Sequence, residues 1–291
     1  MQLKLNLCLI SLIFLSSFSC NSKITESDSK QEGKASTNQS SDAITVEEKW
    51  ELPSELKEVS GIAYMGNNQF ACVQDEDGKV FIYNTSTSEI EREISFAGGG
   101  DYEGLALVDN AAYVVNSEGK IYEILNWESE NPEVKEYQTP LTEDHNIEGL
   151  CYDADNKRLL LAIKDEEPGN KDYKGIYGFD LGSKQLAEEP VYKIDLTHEI
   201  FNKLNEKDQE DFMMPSEINI HPQTGEIYIT EGRDPKLLIL DKNGNIKSLY
   251  KMDKGDFPQA EGITFSPEGE LFISNEGGKN SGTILKVSLK N

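Results

Sequence analysis

The 291-residue sequence has few of the side chains on which several classes of protein depend. Four cysteines and three histidines are too few for a disulfide scaffold and make a zinc cluster improbable. Basic residues are also scarce, because 28 Lys and Arg stand against 53 Asp and Glu, a formal net charge of -25. Since a phosphate backbone repels a protein of this sign, the composition speaks against nucleic acid as a partner.

Common catalytic signatures are missing as well. The sequence has no G-x-S-x-G, no H-E-x-x-H, no phosphate-binding loop and no paired-cysteine motif. What it does have is 37% hydrophobic residues, with 12 Tyr and 11 Phe. That content is enough to build a sizeable core, so we expect a folded protein rather than a disordered acidic chain.

The N-terminal segment resembles a bacterial lipoprotein signal. Lys4 precedes an apolar stretch that ends in small residues at Ser19 and Cys20, and residues 15–20 form a loose lipobox. We therefore expect residues 1–19 to be removed and Cys20 to be lipidated, which would place the protein in the cell envelope on a bacterial plasma or outer membrane, facing the periplasm or the surface. A plain secretory signal and a retained helix are the alternatives. Residues 20–44, polar and without aromatics, predict a flexible tether.

A repeat organises the rest of the chain. Each copy has a small or acidic residue, an apolar run, a turn, a second apolar run with an acidic end, and a third run. The copies begin at Ser60, Glu103, Glu148, Ser216 and Glu261, at intervals of roughly 45 residues with one of about 68. This period predicts an all-β, five-bladed β-propeller over residues 45–291. A sixth, degenerate blade hidden in the long interval is the alternative.

Two segments complete the predicted architecture. The last repeat has no fourth strand, so we expect residues 46–52 to close the ring as the outer strand of the last blade, which would leave no exposed sheet edge there. The excess length of the long interval predicts an amphipathic helical insert over residues 197–214, with Thr197 as N-cap and Ile200, Phe201 and Leu204 on its apolar face. The insert would be a structural flap or a lid.

Acidic residues recur where inner strands begin and second strands end, positions that share one face of a propeller. Glutamates open four inner strands. Oxygen ligands suit Ca²⁺, so the predicted metal ligands are Glu103, Glu148, Glu217, Glu261, Asn275 and Glu276. The alternative is that each glutamate bonds the backbone of a neighbouring blade.

Other residues near the same channel mouth are candidate ligand contacts. They are Glu76, Glu118, Lys164, Asp165, Glu231 and Arg233. The two basic residues among them would either neutralise the acidic ring or hold an anionic ligand. His145, just before Glu148, is the candidate catalytic base, and a solvated loop residue is its alternative.

Several of these segments resemble the SdiA-regulated family, the YjiK-like β-propellers. The matching segments are Ser60-Gly61-Ile62 and residues 70–74, 148–152, 259–263 and 271–276, and the resemblance spans about residues 45–290. It implies a propeller in the cell envelope but no established activity. A more distant similarity, through the Glu-Gly starts and Asn275-Glu276, is to Ca²⁺-holding propellers such as phytase-like esterases and lactonases.

Two hypotheses about function follow. The first is a monomeric envelope lipoprotein, without catalytic activity, that binds an unidentified small molecule or protein at the acidic mouth, with or without Ca²⁺. The second is a Ca²⁺-dependent hydrolase of phosphoesters or lactones, with Glu148 and Glu261 as metal ligands and His145 as base. The lack of a recognisable nucleophile favours the first.

Overall fold

The computed structural model describes residues 36–38, 43–167, 169–204 and 206–290. Five antiparallel sheets account for most of these residues. The predicted signal peptide, Cys20 and most of the predicted tether lie outside the described residues. No helix in the described part of the chain is long and apolar enough to cross a membrane.

We number the sheets as blades 1 to 5 along the chain and name their strands inner, second, third and outer. Blade 1 comprises Val59–Gly66, Gln69–Gln74, Asp77–Asn84 and Glu89–Gly99. Blade 2 comprises Tyr102–Val108, Ala111–Asn116, Lys120–Leu125 and Glu133–Gln138. Blade 3 comprises Ile147–Asp153, Arg158–Ile163 and Tyr173–Asp180, with Gln185–Leu186 and Tyr192–Asp195 sharing the outer position. Blade 4 comprises Glu217–Ile220, Ile227–Glu231, Lys236–Leu240 and Ile246–Lys251. Blade 5 comprises Ala260–Phe265, Leu271–Asn275, Thr283–Leu289 and, as its outer strand, Ile44–Glu51.

The five blades close into a ring. Each inner strand contacts the inner strand of the next blade, and that of blade 5 contacts that of blade 1. Ile44–Glu51 pairs antiparallel with Thr283–Leu289, so the first regular strand of the propeller completes its last blade. The predicted β-propeller, its count of five blades and its closure by an N-terminal strand are confirmed.

Apolar side chains fill the spaces between blades. Alternate residues of a strand point to opposite faces, and here both faces of each sheet are covered by a neighbour. In blade 2, for example, Val114 packs in the core shared with blade 1, whereas Val115 packs in the core shared with blade 3. Five apolar clusters therefore correspond to the five blade interfaces. This arrangement explains why the second strands read as continuous apolar runs.

Glycines let the inner strands approach one another around the central axis. A Cβ on Gly104 would lie 2.5 Å from the Cβ and 2.7 Å from the backbone N of Leu150 in blade 3. In the same way, Gly61 faces the inner strand of blade 2, Gly149 that of blade 4 and Gly262 that of blade 1. In blade 4 itself, Ile218 occupies the position that glycine has in the other blades. The glycine of the repeated Glu-Gly pair is thus a packing requirement.

The insert between blades 3 and 4 differs from the single amphipathic helix expected. It contains two short 3-10 helices, Glu199–Lys203 and Gln209–Phe212. His198, rather than Thr197, caps the first, because its Nδ1 accepts the Ile200 N–H at 3.2 Å. Backbone at Leu204 is extended, which ends the helix. The expected apolar face does pack inward, with Ile200 and Phe201 buried in the core between blades 3 and 4.

Two smaller features complete the fold. Ser36–Asn38, within the predicted tether, pairs in parallel with the outer strand of blade 4, so this part of residues 20–44 adopts regular structure. A 3-10 helix, Ser54–Leu56, precedes blade 1. Cys72 and Cys151 are buried free thiols.

Candidate functional site

The four inner-strand glutamates occupy equivalent positions and converge around the propeller axis. Glu148, Glu217 and Glu261 are only 4%, 2% and 8% exposed, and Glu103 is half-buried. The Glu148 carboxylate acts electrostatically on each of the other three. Together with Lys164, these residues form what we call the acidic mouth.

Blade 1 closes this ring with a hydroxyl in place of a carboxylate. Ser60 stands at the equivalent position, and its Oγ donates a hydrogen bond to the Tyr102 carbonyl of blade 2 at 2.7 Å. Thr230 makes a related contact, donating to the Glu261 carbonyl of blade 5 at 2.7 Å. Uncharged hydroxyls therefore join blades directly, while the charged positions face one another.

Lys164 is the basic residue of the mouth. It follows the second strand of blade 3, and its Nζ lies 2.9 Å from Glu148 Oε1. Burial alone would lower the pKa of Lys164, but the carboxylates of Glu148, Glu261 and Glu103 outweigh burial and raise it. Lys164 is therefore a charged ammonium group, and it neutralises part of the ring.

One lysine cannot balance four buried carboxylates. Burial raises the pKa of Glu261 to about 8, and repulsion from Glu148 adds to the effect, while Lys164 and Ser216 oppose it. Burial also raises the pKa of Glu103 well above its ordinary value, with repulsion from Glu148, Asp101 and Glu261 contributing. At neutral pH the mouth thus holds protons that a bound cation would displace.

Glu217 adopts the backbone-bonding alternative that the sequence left open. Its Oε1 accepts the N–H groups of Ile218 at 2.9 Å and of Leu150, in blade 3, at 2.5 Å. Its Oε2 is buried and has no hydrogen-bond partner among the described residues. Burial raises the pKa of Glu217 well above its ordinary value, and Glu148 and Glu261 raise it further. Glu217 therefore joins two blades and still has an unused oxygen beside its acidic neighbours.

A rim of less buried acids surrounds these groups. Burial raises the pKa of Asp75 to about 6, and Glu58, Glu276, Glu76 and Asp101 add repulsion. Gln259 Nε2 donates to the Glu276 carboxylate. Asp75 directly precedes Glu76, one of the predicted ligand contacts. The mouth therefore extends outward as an acidic surface.

Beside the mouth, between blade 3 and the insert, lies a cleft of about 410 Å³. Its acidic lining consists of Glu143, Asp144, Asp165, Glu166, Glu210 and Asp211. At the cleft, the ammonium group of the buried Lys174 donates to the carbonyls of Lys164, at 2.8 Å, and Asp165. The insert thus forms one wall of an acidic depression next to Lys164.

Glu231 belongs to a separate ion cluster. It pairs with Lys236, which is fully buried and lies 3.0 Å from Glu231, 3.3 Å from Glu206 and 3.5 Å from Asp234. Glu231 Oε2 also accepts the Met214 N–H at 3.0 Å. We call these four charged residues the Lys236 cluster. Because Glu206 comes from the insert and the rest from blade 4, the cluster fastens the insert to the propeller.

The remaining predicted site residues lie outside the ring of glutamates. Glu76, Glu118 and Arg233 are exposed. His145 Nδ1 accepts the Thr142 N–H at 3.1 Å, so the candidate base caps its own loop. Asn275 is buried, and its Nδ2 donates to Thr283 Oγ1 at 3.1 Å while its Oδ1 has no partner among the described residues.

No group of three or more His, Cys, Asp or Glu side chains within the described ranges is arranged to hold a metal ion. Four of the six predicted Ca²⁺ ligands have other partners. Glu148 is paired with Lys164, and Glu217 bonds backbone N–H groups. Glu276 accepts from Gln259, and Asn275 donates to Thr283. The mouth is therefore an acidic ring with an internal ammonium group rather than a preassembled metal cage.

Five blades around one axis, with Ile44–Glu51 closing the last, define a β-propeller. The SdiA-regulated family profile matches residues 44–279, and the chain belongs to the SdiA-regulated family. A search of curated protein sequences gave no match.

Among solved structures, the chain is similar to the glutaminyl cyclase of Myxococcus xanthus, at 13% identity and a TM-score of 0.58, over 85% of this chain and 96% of the cyclase. It is also similar to virginiamycin B lyase from Staphylococcus aureus, at 17% identity and a TM-score of 0.46, over 83% of this chain and 69% of the lyase. These likenesses concern the fold alone.

Proposed function

We propose that this SdiA-regulated propeller is a binding protein that takes up a cationic ligand or partner at the acidic mouth. The observation that carries this proposal is the convergence of the buried Glu148, Glu217 and Glu261, together with the half-buried Glu103, around one ammonium group. Buried like charges raise one another's pKa and remain costly until a cation offsets them. The acidic rim and the neighbouring cleft would raise the local concentration of cations.

Ca²⁺ is one cation to test, because carboxylate and amide oxygens are its usual ligands. To bind it, the mouth would have to rearrange, since Glu148 would exchange Lys164 for the metal. The hydrolase alternative has less support, because His145 is engaged with Thr142 in its own loop.

Thermal unfolding with and without added ligand tests the proposal. Ca²⁺ with a chelator control, and a panel of small organic cations, would be added to the wild type and to the double variant Glu148→Gln with Glu261→Gln. Glu268→Gln, an exposed acid at a turn between the first two strands of blade 5, is the matched control. We expect a stabilising shift in the wild type and in the control but not in the double variant. Shifts that survive in the double variant would place binding elsewhere and contradict the proposal.

We also propose that Cys20 carries lipid and anchors the protein in the cell envelope. The support is the lipobox-like segment at residues 15–20. Detergent phase partitioning of the full chain should recover the wild type with the detergent and Cys20→Ala in the aqueous phase. Equal partitioning of the two would rule out a lipid anchor at Cys20.

A further inference from the structure

Glu217 has an unmet hydrogen-bonding requirement inside the acidic mouth. Both backbone N–H groups within its reach go to Oε1, which leaves Oε2 buried without a partner among the described residues. A buried oxygen without a hydrogen-bond partner destabilises the folded chain. For the ionised carboxylate, the missing partner is a hydrogen-bond donor.

The surroundings of Glu217 indicate which kind of donor would fit. Glu148 and Glu261 are its electrostatic neighbours, and Lys164 is the basic group that acts on Glu261. A neutral donor would satisfy Oε2 but leave the repulsion between carboxylates. A positively charged donor would satisfy Oε2 and also offset the repulsion between the carboxylates. The geometry therefore favours a cation that carries N–H groups.

The propeller already holds ammonium groups in such surroundings. Lys164 lies against Glu148, within the electrostatic reach of Glu261 and Glu103. Lys236, with no exposed side-chain surface, is held by three carboxylates at 3.0 to 3.5 Å. In contrast, no metal-holding group of side chains is formed in the parts of the chain that the structure covers. The propeller therefore already accommodates ammonium groups against buried carboxylates at two places.

We propose that the acidic mouth binds a small primary amine, whose ammonium group donates to Glu217 Oε2 and to the carboxylate of Glu261. This inference rests on the proposed function and specifies its ligand class. The amine would add a second ammonium group next to Lys164 and replace the protons that the buried carboxyl groups otherwise retain.

Calorimetric titration with methylammonium tests this assignment, with tetramethylammonium as a probe of equal charge that has no N–H donor. The titrations are run at about pH 9, where Glu261 is ionised. We expect methylammonium to bind the wild type at least about tenfold more tightly than tetramethylammonium does. Glu217→Gln should lose that preference, since the amide keeps an oxygen for the backbone but not the charge.

Glu268→Gln, an exposed acid at a turn of blade 5, is the matched control and should retain the preference. If circular dichroism shows that Glu217→Gln is unfolded, Glu261→Gln takes its place. Equal binding of both probes, or an unchanged preference in a folded variant, overturns the amine proposal. Binding of Ca²⁺ alone, abolished by Glu148→Gln with Glu261→Gln, also overturns it but leaves the proposed function standing. No cation binding at the mouth overturns both.

Discussion

At the scale of single residues, Glu261 couples the acidic mouth to pH. Glu148, Lys164, Ser216 and Glu276 face it, and burial raises its pKa from 4.5 to about 8. Between these two values the folded chain retains a proton that the unfolded chain releases. The contribution of Glu261 to the free energy of unfolding should therefore fall as pH rises from about 4.5 to about 8 and level off above that range.

We predict that Glu261→Gln reduces this fall by an amount on the order of a few kcal/mol, because the amide has no proton to lose. Urea unfolding of the wild type and the variant at a series of pH values measures the slope. Glu268→Gln should retain the wild-type slope. A wild-type stability that rises across the range would show that Glu261 is already ionised in the folded chain.

The repeat determined which residues of the site could be predicted from the sequence. Glu103, Glu148, Glu217 and Glu261 could be placed together because each opens an inner strand. The position of Glu231 in the Lys236 cluster could not be predicted, because its partners come from the third strand and from the insert, and no spacing rule connects them. The unpaired Oε2 of Glu217 likewise depends on the distance between two inner strands.

At the scale of elements, the inner strands need glycine where they meet. We predict that Gly104→Ala lowers the free energy of unfolding by about 1–3 kcal/mol, because the added methyl group would lie against the Leu150 backbone. Gly98→Ala, in the outer strand of blade 1, has no atom within 4 Å of the added Cβ and should change stability by less than about 1 kcal/mol. Chemical denaturation of the two variants measures both changes in the free energy of unfolding. Equal effects of the two substitutions would refute a close approach of the inner strands.

The insert is held by charge as well as by apolar packing. We predict that Lys236→Met destabilises the protein by about 3–5 kcal/mol, because Glu231 remains buried without its partner. Lys254→Met, which removes an exposed ion pair to Asp234, should cost less than about 1 kcal/mol. Denaturant unfolding gives both values, and limited proteolysis should show faster cleavage within residues 197–214 for Lys236→Met alone. Unchanged cleavage would mean that apolar packing is sufficient to hold the insert.

The sequence predicted these elements unevenly. Most strands followed from apolar runs and turn residues. The repeat predicts a single outer strand for each blade, but in blade 3 this position is split into Gln185–Leu186 and Tyr192–Asp195. The insert was expected to be one helix, but its polar residues bond to blades 3 and 4, as Glu210 does with Lys171, instead of continuing a helix. Both differences arise from tertiary contacts.

At the scale of the whole molecule, the five-blade ring depends on its closing strand. Ile44 is buried and Val46 packs beside it in the core between blades 4 and 5. We predict that a chain starting at Leu52 unfolds at a markedly lower temperature and self-associates, because Thr283–Leu289 becomes an exposed edge. A chain starting at Ala43 retains the strand and should resemble the wild type. Calorimetry and sedimentation measure the two effects, and a stable monomer starting at Leu52 would contradict closure by this strand.

The overall architecture could be predicted from the sequence better than the individual elements or residues. A period near 45 residues fixed the number of blades, and a missing last strand together with an unpaired first strand implied the closure. The parallel pairing of Ser36–Asn38 with blade 4 had no such signal, because it depends on an available sheet edge rather than on the repeat.

We expect the buried glutamates and Lys164 to act as one electrostatically coupled cluster that binds an organic cation. Carboxyl ¹³C NMR of the glutamates, assigned with Glu→Gln variants and followed over pH with and without methylammonium, tests it most directly. We predict that Glu261 titrates near pH 8, that methylammonium lowers this midpoint, and that it shifts the Glu217 resonance. Glutamates that titrate like exposed carboxylates and do not respond to methylammonium would contradict the claim.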